Sequence, residues 1–88
     1  MMPRMVSLRV YVEEGCWACA ESRRVVTEVA RTFPEVQIEI LDVTNAPRPE
    51  AVFAVPTYVL DGRVISLGNP YVHELCYHLQ DALVRAPA

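Results

Sequence analysis

With 88 residues, 52% of them hydrophobic and 22% charged, the chain suits one compact domain over residues 1–88 and is too apolar to remain disordered. Its net charge is −3, and all eight basic residues are arginines scattered from Arg4 to Arg85, which argues against a nucleic-acid partner or a charged membrane surface. No apolar run approaches the ~20 residues of a membrane span.

Residues 5–12 are rich in β-branched and apolar side chains and end in Glu13-Glu14-Gly15, as a buried strand running into a loop would. The loop delivers Cys16-Trp17-Ala18-Cys19. From Trp17 to Phe33, Val25, Val26, Val29, Ala30 and Phe33 recur at helical spacing, and Pro34 stops the helix. The valines are poor helix formers, so burial of that stripe must hold the segment. Residues 36–43 alternate and then run apolar, predicting a second strand.

Asn45, Pro47 and Pro49 force a loop, leaving room for at most a helical turn over residues 50–54. Residues 55–60 form a third strand with Pro56 at its beginning, Asp61-Gly62 marks a hairpin, and residues 63–67 return. Asn69 suits a helix N-cap and Pro70 a first helical position, so a last helix is predicted over residues 70–83. Its apolar stripe is Val72, Leu75, Cys76, Leu79, Ala82 and Leu83.

Two thiols three residues apart at the start of a helix share one face, close enough to join as a disulfide. Cys16 lies where free N–H groups and the positive end of the helix dipole favour a thiolate, whereas Cys19 lies inside the first turn. That asymmetry makes Cys16 the nucleophile and Cys19 the thiol that resolves a mixed disulfide. Half of a zinc site, or two small buried residues, would read the same way in isolation. Trp17 is either a surface aromatic that contacts a substrate or a packing residue. Glu13 and Glu14 read as solvated loop charges, whose negative field would oppose thiolate formation if close to Cys16 and partly offset the helix end.

Three cysteines cannot all pair within one chain, which favours thiols that cycle over a disulfide framework. The first eight residues have neither the apolar stretch nor the cleavage site of a secretory signal, so a cytoplasmic location is the expectation. Cys76 falls on the last apolar stripe and is expected to be buried and inert, and His78 to be exposed. Cys16, Cys19, His73 and Cys76 are formally a Cys₃His set, which leaves a zinc-binding or purely partner-binding module as the alternative to redox chemistry.

The order β-α-β, loop, β-β-α, with Cys16-x-x-Cys19 after the first strand and Val55-Pro56-Thr57 before the third, resembles the thioredoxin superfamily, and its length the small glutaredoxin-like members. The resemblance implies an α/β thioredoxin-like fold with a four-stranded mixed central sheet and helices packed on it. It also implies thiol–disulfide oxidoreductase activity with no cofactor beyond a Cys16–Cys19 disulfide. Pro56 would follow a cis bond beside the cysteines, and Val55, Pro56 and Thr57, with Trp17, would receive substrate, Val55 by strand-like pairing. The implied substrate is a disulfide-containing protein or small thiol, and the electron donor a reductase or glutathione; a monomer is expected.

Overall fold

A computed structural model describes residues 5–86. The elements in chain order are β1 (Ser7–Val12), α1 (Trp17–Thr32), β2 (Gln37–Asp42), β3 (Thr57–Leu60), β4 (Arg63–Leu67) and α2 (Val72–Arg85). They build a four-stranded sheet in the order β2-β1-β3-β4, with β1 and β2 parallel and the β1–β3 and β3–β4 pairs antiparallel. This is the expected α/β architecture with a mixed sheet.

Side chains alternate across β1, so Leu8, Val10 and Val12 share one face and are fully buried. Val25, Val26 and Val29 of α1 and Leu75 and Leu79 of α2 belong to the same apolar cluster, which places both helices over that face. On the other face Arg9 stands opposite Glu39 in the parallel register, and their charged groups approach to 3.6 Å. Both are half exposed, so the pair contributes little to stability.

The hairpin between β3 and β4 turns at Asp61 (φ 48°) and Gly62 (φ 83°), the left-handed pair that a two-residue turn requires. Asp61 also ties the turn to the beginning of β1, since its N–H donates to the Ser7 carbonyl and its carboxylate accepts from the Ser7 N–H. Within the hairpin the register slips after Tyr58: Tyr58 faces Ser66 but Val59 faces Val64, so Ile65 is the extra residue of a bulge on β4.

Between β2 and β3 the chain is irregular, with one turn closed by the Val52 N–H on the Pro49 carbonyl (2.9 Å). Val52 anchors the middle of this loop, being 1% exposed. The last helix begins at Val72, two residues later than predicted, and its N-cap is Tyr71, which makes no side-chain capping bond. Asn69 does not cap it because its carboxamide is engaged elsewhere.

Candidate active site

The site is built at the N-terminus of α1. Gly15 (φ 75°) turns the chain out of the β1 loop, a conformation that costs most residues energy, although a Cβ there would meet nothing within 4 Å. Cys16 is the N-cap itself, with extended backbone, and its Sγ accepts the Cys19 N–H at 3.1 Å. The sulfur thus takes the place of a Ser or Asp cap oxygen and faces the free amides of the first turn. Cys16 and Cys19 form a disulfide, with Cα atoms 5.2 Å apart.

The two cysteines differ as the helix position predicts. Cys16 is half-buried at the rim and Cys19 is 3% exposed beneath it. A shallow cleft beside the pair is lined by Gly15, Cys16, Trp17, Ala18, Glu21 and Asn69, among others. Trp17 projects from it almost wholly into solvent (94% exposed), so of the two readings of this residue the packing one fails.

Charge near the pair is partly neutralised. Glu13 meets Arg48 at 3.5 Å, and Glu21 is hydrogen-bonded to Arg24, which holds the Glu21 carboxyl below the usual carboxylate range and raises the Arg24 guanidinium. The Glu14 N–H donates to the Thr44 hydroxyl (2.9 Å), joining the loop before the cysteines to the loop after β2.

The Val55–Pro56 peptide is cis. Val55 is half-buried and packs, like Cys16, against the core cluster, and it lies before the first residue of β3. Pro56 is buried, with its carbonyl occupied by the Gly68 N–H (2.7 Å). Thr57 is fully buried and its hydroxyl donates to the Ala54 carbonyl, so its side chain is not available to a substrate. None of these three lines the cleft beside the cysteines.

Behind the first turn of α1 lies a polar network that the sequence reading missed. The Asn69 Nδ2 donates to the Ala18 carbonyl (2.8 Å), while its Oδ1 accepts from the Ser22 hydroxyl (2.6 Å) and the Tyr58 hydroxyl (2.9 Å). Ser22 and Tyr58 are fully buried, and burial pushes the Tyr58 phenol above its ordinary value. Ser22 could have been found in the sequence. It lies three residues after Cys19 on the stripe that continues to Val25, Val26 and Val29, where a lone hydroxyl needs a buried partner.

Cys76 is half-buried, not fully buried as expected, because Leu75 and Leu79 occupy the centre of the α2 stripe and push the next position to its margin. His78 is likewise half-buried, lining a groove between the hairpin and the end of α2. Among the described residues no three His, Cys, Asp or Glu side chains group as a metal would require, so Cys16, Cys19, His73 and Cys76 do not converge.

The whole arrangement superposes on known structures. Thioredoxin 3 from Saccharomyces cerevisiae mitochondria, in oxidised form, matches with a TM-score of 0.72 at 24% identity, covering 86% of this chain and 77% of that one. This chain has the thioredoxin fold. The thioredoxin-fold assignment is repeated by Trypanosoma brucei brucei thioredoxin (TM-score 0.74, 20% identity, 91% of this chain and 76% of the other). Fasciola hepatica thioredoxin gives a TM-score of 0.65 at 22% identity, over 94% of this chain and 82% of that one. No protein-family model and no curated protein matches the sequence. Among the described residues of this thioredoxin-fold chain, no helix is long and apolar enough to cross a membrane.

Proposed function

We propose that the chain is a thiol–disulfide oxidoreductase that cycles between a Cys16–Cys19 dithiol and disulfide. The observation that carries this reading is the Cys16 sulfur at the α1 N-cap, accepting the Cys19 N–H and bonded to the buried Cys19. An anion at that position faces the first-turn amides and the positive end of the helix, which favours the thiolate over the thiol.

In the reductive direction the Cys16 thiolate attacks one sulfur of a substrate disulfide. A Cys16–substrate disulfide forms, the substrate S–S bond breaks, and the other substrate sulfur leaves as a thiolate that takes up a proton. Cys19 then loses its proton and attacks the Cys16 sulfur, which releases the second substrate thiolate and closes the Cys16–Cys19 disulfide. The substrate has gained two electrons and the protein has lost two. An external thiol or dithiol, from a reductase or glutathione, returns the protein to the dithiol form by the same exchange.

The substrate is a disulfide-containing protein or small thiol compound, met by the exposed Trp17 and by Val55, whose place outside the strand ladder suits it to pair with an extended segment. Pro56 and Thr57 shape that approach through the backbone. Phe53 and Tyr71 are also exposed, close in the chain to Val55 and Asn69, and would extend the apolar contact. Action as a monomer in the cytoplasm completes the reading. The test is reduction of insulin or hydroxyethyl disulfide: the native chain should turn over, Cys19→Ser should accumulate a mixed disulfide through Cys16, and Cys16→Ser should be inactive. Retained turnover in Cys16→Ser refutes the mechanism.

A further inference from the structure

We propose that Asn69 is a positioning residue that favours the Cys16 thiolate through the Ala18–Cys19 peptide unit. The carbonyl of that unit is Ala18 O, which accepts from the Asn69 Nδ2, and its N–H is that of Cys19, which donates to the Cys16 Sγ. One planar amide therefore carries a donor on its oxygen and the sulfur on its hydrogen. Donation to a peptide oxygen draws electron density from its nitrogen and makes the N–H a stronger donor. The stronger donor favours the charged form of the sulfur that it meets.

The orientation of the Asn69 carboxamide is fixed by its neighbours. Two hydroxyls, from Ser22 and Tyr58, converge on one end of the amide, and each can donate a single proton there. At the other end the Ala18 carbonyl can only accept, so the nitrogen faces it and the oxygen is left to take the two hydroxyl protons. Ser22 also lies 3.3 Å from the Ala18 carbonyl, but its one proton is committed to the shorter contact with Asn69. The Cys19 N–H is shared between the Cys16 carbonyl (3.2 Å) and the Cys16 sulfur (3.1 Å), so its donor strength bears directly on the sulfur.

The charged and titratable groups around this corner come from every neighbouring element. In the loop before the pair are Glu13, met by Arg48, and Glu14. On α1 are Glu21 and Arg24, paired with each other. On β3 is the buried Tyr58 phenol, and at the beginning of α2 are His73, stacked on Tyr71, and Glu74. Replacing Asn69 by Ala or Ser alters none of these charges.

This inference rests on Cys16 being the attacking thiolate, but its test uses no disulfide substrate. Reduced protein is alkylated with iodoacetamide across a pH series, and modification at Cys16 is quantified by peptide mass spectrometry. Asn69→Ala should move the Cys16 profile to higher pH, lowering the thiolate fraction at a fixed pH below the midpoint about twofold to fourfold. Asn69→Ser keeps a polar group beside the Ser22 and Tyr58 hydroxyls but is too short to reach the Ala18 carbonyl, and should shift alike; it serves if the Ala variant does not fold by circular dichroism. Tyr58→Phe loosens the same corner while keeping the donor, and should shift the profile by less than half as much. Asn69 variants that superpose on the native profile overturn the proposal. So does a Tyr58→Phe shift as large as theirs, which would assign the change to loosening alone. Failure of insulin reduction with an intact Asn69-dependent profile would count against the oxidoreductase reading and not against this one.

Discussion

Helices α1 and α2 begin in opposite ways. At the N-terminus of α1 a cysteine side chain caps the first turn, and at the N-terminus of α2 Tyr71 supplies no cap at all. Asn69 connects the two facts. It sits two residues before Tyr71, where its side chain would be a good cap for α2 after a small shift of the helix start, yet it reaches across to the first turn of α1. The comparison teaches that local capping preference was set aside at one helix so that the other could be held at its cysteine-bearing end. Polar groups buried at a junction are satisfied first, and solvent-exposed helix ends are left to water.

The comparison can be broken most sharply at Cys16. Its replacement by Ser keeps a capping oxygen, so α1 should remain folded by circular dichroism while disulfide reduction falls to background. A loss of helix together with activity would mean that the sulfur is needed for structure and not for exchange. Next in size is the network behind it. Ser22→Ala removes one hydroxyl from Asn69 in a fully buried setting and should destabilise the fold by about 1 kcal/mol in urea unfolding. A variant as stable as the native chain would show that the junction is not held there.

At the other helix the prediction has the opposite sign. Tyr71→Asp supplies α2 with the side-chain cap it lacks and should stabilise by about 0.5–1 kcal/mol in the same assay. Destabilisation would mean that the exposed Tyr71 ring, stacked on His73, matters more than the missing cap. The smallest effect concerns pH. Asp42 accepts the Thr44 N–H (2.8 Å), chiefly for which its carboxyl lies below the usual aspartate value. A depressed folded value stabilises above the unfolded one, and that contribution disappears as acid brings the pH down through the folded value. Asp42→Asn should therefore be slightly less stable than the native chain at neutral pH, and the gap should close below about pH 4, the ordinary aspartate range. A gap that persists at acid pH would show that the loop geometry, not the charge, is responsible.

Much of this was legible because the periodicities were clean. The β1 run, the valine stripe of α1 and the Asp61-Gly62 turn each point to one local structure, and the spacing of Cys16 and Cys19 places both thiols at a helix start. What could not be read was the partner of a polar side chain. Asn69 before Pro70 reads as a cap from local spacing alone, and only the tertiary fold brings Ser22 of α1 and Tyr58 of β3, 47 and 11 residues away in the chain, onto its amide. The margin of the α2 stripe was likewise hidden, since Cys76 and Leu75 look equivalent until the helix is rotated against the sheet. Thr57 looks like a contact residue because it stands next to Pro56, but both faces of β3 are covered at this point and its hydroxyl is taken by the Ala54 carbonyl.

The extra residue in β4 has a consequence for how the molecule meets copies of itself. β4 is an outer strand carrying the exposed Val64 and Leu67, the kind of border on which further strands add and chains aggregate. Ile65 interrupts its regular spacing and increases the local twist, so an incoming straight strand cannot match successive amides along it. The flaw in the ladder thus works against strand addition along β4, where a regular strand with the same apolar side chains would invite it.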